Sequence, residues 1–187
     1  MARVALAAKL QRIRLLVSDV DGTLTDGGLY YSAQGEALKR FHVHDGLGLK
    51  LLQEANIHVA LITQEDSAIA QARAQRLGIT LCLTGVQDKA AAVLELARQL
   101  LLSPEQIAYI GDDLTDLPAM HYAGVTACPA DAVAEVRQAV DYVCHRPGGN
   151  GAVREFCELL LRAQRKLLEL PTSREVQQIS TATHERA

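Results

Sequence analysis

The chain has 187 residues, 49% of them hydrophobic, and a formal net charge of −3. A chain of this length and composition can bury one substantial core, so we predict a single domain over residues 1–170. Its basic residues form no stripe interleaved with aromatic side chains, which excludes a nucleic-acid-binding protein and favours a small-molecule partner.

The cysteines and the apolar runs indicate the compartment. Cys82, Cys128, Cys144 and Cys157 are widely spaced and form no Cys-x-x-Cys pair, so we expect reduced, mostly buried thiols. The N-terminal apolar run is too short for a signal peptide, and no later run is long enough to span a bilayer. We therefore predict a cytoplasmic protein with no membrane contact.

Secondary structure is predicted from the apolar periodicity and from glycine and proline breaks. A buried strand at 13–18 is followed by a β-hairpin, with strands at 29–32 and 38–43 around the turn 33–36. Helices are predicted at 45–56, 67–77, 88–102, 114–123, 132–139 and 152–165. Further strands are predicted at 58–63, 79–83, 107–110, 125–128 and 142–144. This alternation predicts an α/β fold with a doubly wound, mostly parallel sheet. The polar segment 171–187 is predicted to be a flexible tail.

The most informative motif is the carboxylate pair Asp19 and Asp21, which directly follows the first strand. In a doubly wound sheet, ligands bind outside the carboxyl ends of the strands. Asp19 could attack phosphorus to form an aspartyl-phosphate, and Asp21 could protonate the leaving alkoxide and then deprotonate the attacking water. Asp-x-Asp-Gly is also common in ordinary turns, so the pair alone leaves both interpretations open.

Thr63 and Lys89 are predicted at the same edge of the sheet. A hydroxyl at the end of a strand can donate to a phosphate oxygen, although Thr63 could simply be a strand residue or a helix cap. Lys89 begins a helix, where its charge opposes the helix dipole, so a phosphate there would be stabilised by the ammonium and by the helix end. An ordinary exposed lysine is the alternative.

A second acidic group, Gly111-Asp112-Asp113-x-x-Asp116, follows the strand at 107–110. Clustered carboxylates repel one another unless a cation or hydrogen-bond donors lie among them. We predict a Mg²⁺ site formed by Asp19, by a backbone carbonyl near Asp21 and by Asp112. Helix capping is the alternative for Asp113 and Asp116, and whether either contacts the metal stays open. Four such sites on one edge favour phosphoryl-transfer chemistry.

These four motifs, in this order, resemble those of the haloacid dehalogenase superfamily of phosphatases, over most of residues 13–165. The resemblance implies a Rossmann-like core and a Mg²⁺-dependent phosphatase. More narrowly, the hairpin, His44-Asp45-Gly46 and the glycine-rich segment 146–156 are similar to 3-deoxy-D-manno-octulosonate 8-phosphate phosphatases. This implies hydrolysis of the terminal phosphate of a 2-keto-3-deoxy sugar acid, a precursor of lipopolysaccharide.

The short gaps between the motifs leave no room for a cap domain. Only a hairpin and a helix are predicted between Asp21 and Thr63, and only a helix and a strand between Thr63 and Lys89. A site without a cap is open to water unless a neighbouring subunit closes it. The resemblance implies a homotetramer in which the hairpin, around residues 30–41, helps to complete an adjacent site. A plain edge ribbon is the alternative.

The substrate contacts implied by the resemblance are His44, Asp45, Gly46, Lys50, Glu65, Arg73, Arg76 and Lys89. Octulosonate phosphatases usually have Gly-Arg where this chain has Gln64-Glu65, and commonly Arg in place of His44. Glu65, Arg73 and Arg76 are instead similar to phosphatases of nine-carbon acids, which act on the 9-phosphates of 2-keto-3-deoxynononate or N-acetylneuraminate. By charge, the arginines or Lys50 would attract a substrate carboxylate, whereas Glu65 would accept hydrogen bonds from hydroxyls.

Two alternatives of other classes also fit parts of the pattern. A receiver-type signalling module combines an acidic cluster, Mg²⁺, Thr and Lys on a doubly wound sheet, but its phosphorylated Asp follows the third strand, where this chain has no matching residue. A catalytically idle homologue is the other alternative, although all four motif positions are filled.

Overall fold

A six-stranded parallel sheet lies at the centre of the computed structural model, which describes residues 2–166. Its helices are α1 (Ala2–Leu10), α2 (Val43–Glu54), α3 (Ala68–Leu77), α4 (Lys89–Gln99), α5 (Leu117–Met120), α6 (Ala134–Ala139) and α7 (Ala152–Ala163). Its strands are β1 (Leu15–Asp19), β2 (Tyr30–Ser32), β3 (Gly35–Leu38), β4 (His58–Ile62), β5 (Leu81–Leu83), β6 (Ile107–Ile110), β7 (Val125–Cys128) and β8 (Tyr142–Val143). Short 3-10 helices lie at Pro104–Gln106 and Leu114–Asp116.

The strand order of the large sheet is β5-β4-β1-β6-β7-β8, and all its neighbours pair in parallel. From β1 the chain continues to β4 and β5 on one side, then crosses to β6 on the other side of β1. The loops after β1 and β6 therefore leave in opposite directions, and this divergence opens a crevice at the carboxyl edge. Ser18 pairs with Ile110, so Asp19 and Gly111 lie at the same level of this edge.

Helices cover both faces of the sheet, because its central strands are apolar on both sides. Along β1, Leu16 faces the core formed with α1, α2, α3 and α7, whereas Leu15 and Val17 face the core formed with α4, α5 and α6. The predicted doubly wound α/β fold is thus confirmed. Within residues 2–166, none of the helices has the length and apolar character needed to cross a membrane.

The predicted hairpin is present as a separate antiparallel pair, β2 and β3, but its second strand lies at Gly35–Leu38 instead of 38–43 and so begins inside the predicted turn 33–36. Beyond it, the His42 ring accepts a hydrogen bond from the backbone N–H of His44 and caps α2, so Val43 begins a helix instead of ending a strand. Between β1 and α4 the chain forms only this hairpin, β4, β5, α2 and α3, so the described residues contain no cap domain.

Two other elements differ from the sequence prediction. The predicted helix at 114–123 divides into a 3-10 turn and α5, which carries Pro118 in its first turn, where the missing N–H costs no hydrogen bond. Helix α1 was not predicted. All four cysteines are free, as expected. The single domain over 1–170 stays a prediction, and the predicted tail 171–187 lies outside the described residues.

The packing of α7 can be tested with two identical substitutions. Leu160 is fully buried in the core, whereas Leu94 on α4 is 45% exposed. We expect Leu160→Ala to lower the free energy of unfolding by about 2–5 kcal/mol, because it leaves a cavity. Leu94→Ala should change it by about 0.5 kcal/mol or less. Urea denaturation measures both, and equal losses would contradict the observed packing.

Candidate active site

Asp19 is the last residue of β1 and lies at the crevice between β1 and β6, with 3% of its surface exposed. Its Oδ1 accepts a hydrogen bond from Lys89 Nζ at 2.7 Å. Its Oδ2 is buried and has no hydrogen-bond partner among the described residues. Buried carboxylate oxygens are normally paired, so this oxygen marks the place where a cation or an electrophilic phosphorus would fit.

Lys89 connects two buried carboxylates. It begins α4 behind the N-cap residue Asp88 and is 5% exposed. Its ammonium lies 2.7 Å from Asp19 Oδ1 and 2.7 Å from Asp116 Oδ1. The Tyr109 hydroxyl donates to the same Asp116 oxygen at 2.7 Å. Asp116 therefore holds Lys89 against Asp19, and a charged lysine is retained in the interior because both of its partners are present.

Asp112 follows β6 and completes an acidic cluster with Asp19 and Asp116. One oxygen from each of these three carboxylates lies within 4.8 Å of the others. Asp116 is already saturated, because its second oxygen accepts the backbone N–H of Asp112 at 3.0 Å and that of Asp113 at 3.2 Å. Thr23 Oγ1 donates to Asp112 Oδ1 at 3.0 Å. The oxygens left for a metal thus come from Asp19 and Asp112.

Gly22 allows this close approach of the two loops. Its φ is +90°, a conformation that side chains disfavour. A Cβ at this position would also overlap the Asp112 carboxylate. Glycine is therefore required both for the turn after Asp21 and for the position of Asp112.

The electrostatics of the cluster favour a divalent cation. Burial raises the pKa of Asp19 well above its usual value, and Asp116 raises it further, whereas Lys89 lowers it. Burial and then Asp116 raise the pKa of Asp112 to about 6. Burial lowers the pKa of Lys89, but the Asp19 and Asp116 carboxylates outweigh this and raise it. One ammonium thus faces three carboxylates, and Mg²⁺, which prefers such oxygen ligands, fits the remaining charge.

Asp21 is held from two sides and has 26% of its side chain exposed. Thr63 Oγ1 donates to its Oδ2 at 2.8 Å. Lys39, from the end of the hairpin, forms an ion pair with its Oδ1. Thr63, which the sequence predicts as a phosphate ligand, here donates to the candidate general acid instead.

Six of the predicted site residues line one small cavity, of about 180 Å³, at the carboxyl edge of the sheet. They are Asp19, Asp21, Thr63, Glu65, Lys89 and Asp112. Glu65 is exposed at this cavity, and its backbone N–H donates to Thr63 Oγ1 at 3.1 Å. The structure thus brings the predicted reaction centre together with one predicted substrate contact.

The other predicted substrate contacts lie elsewhere. Lys50 and Arg76 are exposed on α2 and α3 and do not line this cavity. His44 lines a separate surface cavity of about 590 Å³. Arg73 lies over the Phe41 ring, 5.4 Å from its centroid, and donates to the backbone carbonyl of His42.

Two further predicted contacts have structural roles here. Asp45 is 1% exposed, and its carboxylate accepts the backbone N–H groups of Gly151 at 3.2 Å and Arg154 at 2.7 Å, which joins α2 to the start of α7. A Cβ on Gly46 would overlap the Arg73 guanidinium, so this glycine leaves room for the arginine. In the single chain, neither residue faces the acidic cavity.

Sequence reasoning missed three parts of the site: Lys39, Tyr109 and the buried role of Asp116. Tyr109 lies in an apolar strand, where its pattern is that of a core residue, and Asp116 has the spacing of a helix cap. Lys39 has no local signal, because its contact with Asp21 depends on how the hairpin folds back.

The glycine-rich segment also supports the site. Gly149 N–H donates to the carbonyl of Thr23 at 3.1 Å, and Gly148 N–H donates to Asp131 at 2.8 Å. A Cβ on Gly148 would overlap the carbonyl oxygen of Gly22. This segment therefore packs directly on the loop that carries Asp21.

Comparison with known proteins places this geometry in a family. Residues 44–124 match the sequence model of the haloacid dehalogenase-like hydrolases. The chain is 48% identical to 3-deoxy-D-manno-octulosonate 8-phosphate phosphatase KdsC of Haemophilus influenzae, over 84% of this chain and 88% of that protein. The chain belongs to this phosphatase family.

Solved structures agree with this membership of the phosphatase family. The cobalt-bound octulosonate 8-phosphate phosphatase of Haemophilus influenzae has a TM-score of 0.82 and 47% identity, covering 84% of this chain and 92% of that one. The phosphatase of Moraxella catarrhalis, in complex with magnesium, phosphate and 3-deoxy-D-manno-octulosonate, has a TM-score of 0.83 and 42% identity, covering 86% and 92%. The predicted family resemblance is confirmed.

Metal binding at the acidic cluster should depend on pH. Because the pKa of Asp112 is raised to about 6 in the metal-free chain, Mg²⁺ must displace a proton at lower pH. At about pH 8, a hundredfold excess of Mg²⁺ over its Kd should raise the Tm by about 5–10 °C, and this shift should shrink towards pH 5. Without metal, the contribution of Asp112 to stability should be lost as the pH rises through about 6.

Differential scanning fluorimetry across pH measures this metal effect. Asp112→Asn should abolish the shift in Tm. Asp113→Asn is the matched control and should keep it, since the Asp113 carboxylate is exposed and accepts the backbone N–H of Leu114. A shift that is equally large at all pH values, or that survives in Asp112→Asn, would contradict the assignment.

Proposed function

We propose that the chain is a Mg²⁺-dependent phosphatase that removes the terminal phosphate of 3-deoxy-D-manno-octulosonate 8-phosphate, in the synthesis of lipopolysaccharide precursors. The observation that carries this proposal is the buried Oδ2 of Asp19, which has no hydrogen-bond partner within residues 2–166 and lies beside Lys89 and Asp112 at the switch point of the sheet. Membership of the octulosonate phosphatase family supports the same reaction.

In the proposed reaction Asp19 is the nucleophile, and Asp21 is the general acid and then the general base. The Asp19 carboxylate attacks phosphorus in line, and an oxygen–phosphorus bond forms as the bond to the sugar oxygen breaks. Asp21 gives its proton to that oxygen. Asp21 then takes a proton from water, which attacks the aspartyl-phosphate and releases inorganic phosphate and Asp19. Lys89 lies against Asp19 and offsets negative charge on the transferred group throughout.

Asp19, Asp112 and the backbone carbonyl of Asp21 would hold the metal. When bound, Mg²⁺ supplies positive charge to the phosphoryl oxygens. Thr63 helps to orient Asp21, since its hydroxyl donates to Asp21 Oδ2.

Glu65 is the residue of the cavity that bears most directly on the choice of substrate. Its exposed carboxylate would accept hydrogen bonds from sugar hydroxyls and repel a substrate carboxylate. The nine-carbon acids remain the alternative that this residue favours, although the relatives named above favour the eight-carbon acid. The relatives do not favour a receiver module.

Steady-state kinetics on three substrates decides between these acids. We expect kcat/KM on octulosonate 8-phosphate to exceed that on the 9-phosphates of deoxynononate and N-acetylneuraminate by about tenfold or more, the discrimination that a few polar contacts provide. A higher value on either 9-phosphate would replace the eight-carbon assignment. A single turnover without further phosphate release would support a receiver instead.

The role of Asp19 is tested by Asp19→Asn. The amide cannot attack phosphorus, so turnover should fall below about a hundredth of the wild-type rate. Circular dichroism should show an unchanged fold, because the substitution keeps the size of the side chain. Phosphate release above that level would contradict the assignment of the nucleophile.

We also propose a cytoplasmic homotetramer. The hairpin and the residue before it expose three apolar side chains, with exposed fractions of 71% for Leu29, 63% for Tyr31 and 65% for Leu38. A second copy of the chain would cover this apolar surface. Such a contact would also have a function, because the site has no cap and a neighbouring hairpin could exclude water from the site. The free cysteines agree with a reducing compartment.

Light scattering tests the oligomer. Wild type should have about four times the monomer mass, and Tyr31→Asp should yield smaller species, because it places a charge in the apolar contact. Leu101→Asp, at a side chain that is 91% exposed far along the chain from the hairpin, is the control and should leave the mass unchanged. A monomeric wild type would overturn this proposal and leave the phosphatase assignment intact.

A further inference from the structure

Lys39 is a buried cation that the reaction described above does not use. It directly follows β3, and only 3% of its side chain is exposed. Its ammonium forms ion pairs with Asp21 Oδ1 and Glu36 Oε1. A lysine is rarely enclosed to this extent without a paired carboxylate, and here it has two.

Glu36, one of the two partners of Lys39, is itself held by a further hydrogen bond. Ser67, the N-cap of α3, is 1% exposed and donates through Oγ to Glu36 Oε2 at 2.6 Å. Glu36 therefore joins the hairpin to the start of α3, and its other oxygen holds the lysine. The result is a chain of contacts from Ser67 through Glu36 and Lys39 to Asp21.

This series of contacts ends at Asp21, which is the group that transfers the proton in the proposed reaction. Its side chain is 26% exposed, so it has room to turn towards solvent. Thr63 holds one carboxylate oxygen and Lys39 the other. Proton transfer requires the acid within hydrogen-bond distance of the leaving oxygen, and a displacement of about 1 Å can reduce the rate about a hundredfold.

We propose that Lys39 is a positioning residue, which holds the Asp21 carboxyl group at the leaving oxygen of the substrate, and that Glu36 and Ser67 hold Lys39 in turn. This inference rests on the proposed function. Its consequence is that the hairpin contributes to its own chain's reaction centre, in addition to any contact that it makes with a second copy.

The experiment compares two substrates that differ in their need for a proton. The alkoxide of octulosonate 8-phosphate must be protonated to leave, whereas p-nitrophenolate leaves without a proton. For Lys39→Met, we expect kcat on octulosonate 8-phosphate to fall about tenfold to a hundredfold with little change in KM. The loss on p-nitrophenyl phosphate should be several times smaller. Lys39→Arg should recover part of the rate.

Two variants serve as references. Asp21→Asn should show the same dependence on the leaving group in a stronger form. Arg40→Met, at the neighbouring residue whose partners are Asp26, Asn150 and the backbone carbonyl of Gly149, should leave the ratio of the two rates at its wild-type value. Glu36→Gln and Ser67→Ala should shift the ratio in the direction of Lys39→Met by a smaller factor, and they provide the test if Lys39→Met does not fold.

The outcomes distinguish a failure of the positioning role of Lys39 from a failure of the proposed function. Equal losses of Lys39→Met on both substrates, or an unchanged ratio in it and in Glu36→Gln, would overturn the positioning role and leave the phosphatase assignment intact. If Asp21→Asn itself shows no dependence on the leaving group, the failure lies in the proposed role of Asp21.

Discussion

The site depends on one buried ammonium, that of Lys89, between the carboxylates of Asp19 and Asp116. Without it, these acids would meet at the sheet edge with no nearby positive charge, and burial would favour their protonated, unreactive forms. One cation against three carboxylates offsets only part of this repulsion. Lys89 thus lowers the pKa of Asp19, the proposed nucleophile, which burial raises, and leaves an excess of negative charge that a divalent cation would offset.

The topology of the sheet explains why these groups meet. Asp19 and Asp112 are distant in sequence, but β1 and β6 are neighbours whose following loops diverge, so both acids end beside the same crevice. Lys89, the first residue of α4, lies at the same edge of the sheet. The rigid, apolar strands hold Asp19 and position Asp112, whereas Glu65, the predicted substrate contact at this cavity, lies exposed on a loop, which is freer to change.

The sequence was sufficient to predict the alternating fold and the gathering of Asp19, Lys89 and Asp112 at one sheet edge, because buried parallel strands and polar residues at their ends leave strong local patterns. It was less informative where a contact joins distant segments. Nothing near Lys39 indicates that it returns to Asp21, and nothing near Asp45, a predicted substrate contact, indicates that its carboxylate holds the start of α7. The division of the predicted helix at 114–123 follows from competition between capping by Asp113 and Asp116 and the proline at 118.

The contact of Gly148 and Gly149 with the loop after β1 links the start of the chain to a segment made much later. During synthesis, the loop with Asp21 leaves the ribosome long before these glycines do. Until they emerge, that loop lacks the surface on which it packs, and the nascent chain holds an incomplete reaction centre. The loop that carries Asp21 can therefore take up its described packing only once residues 148 and 149 have been made.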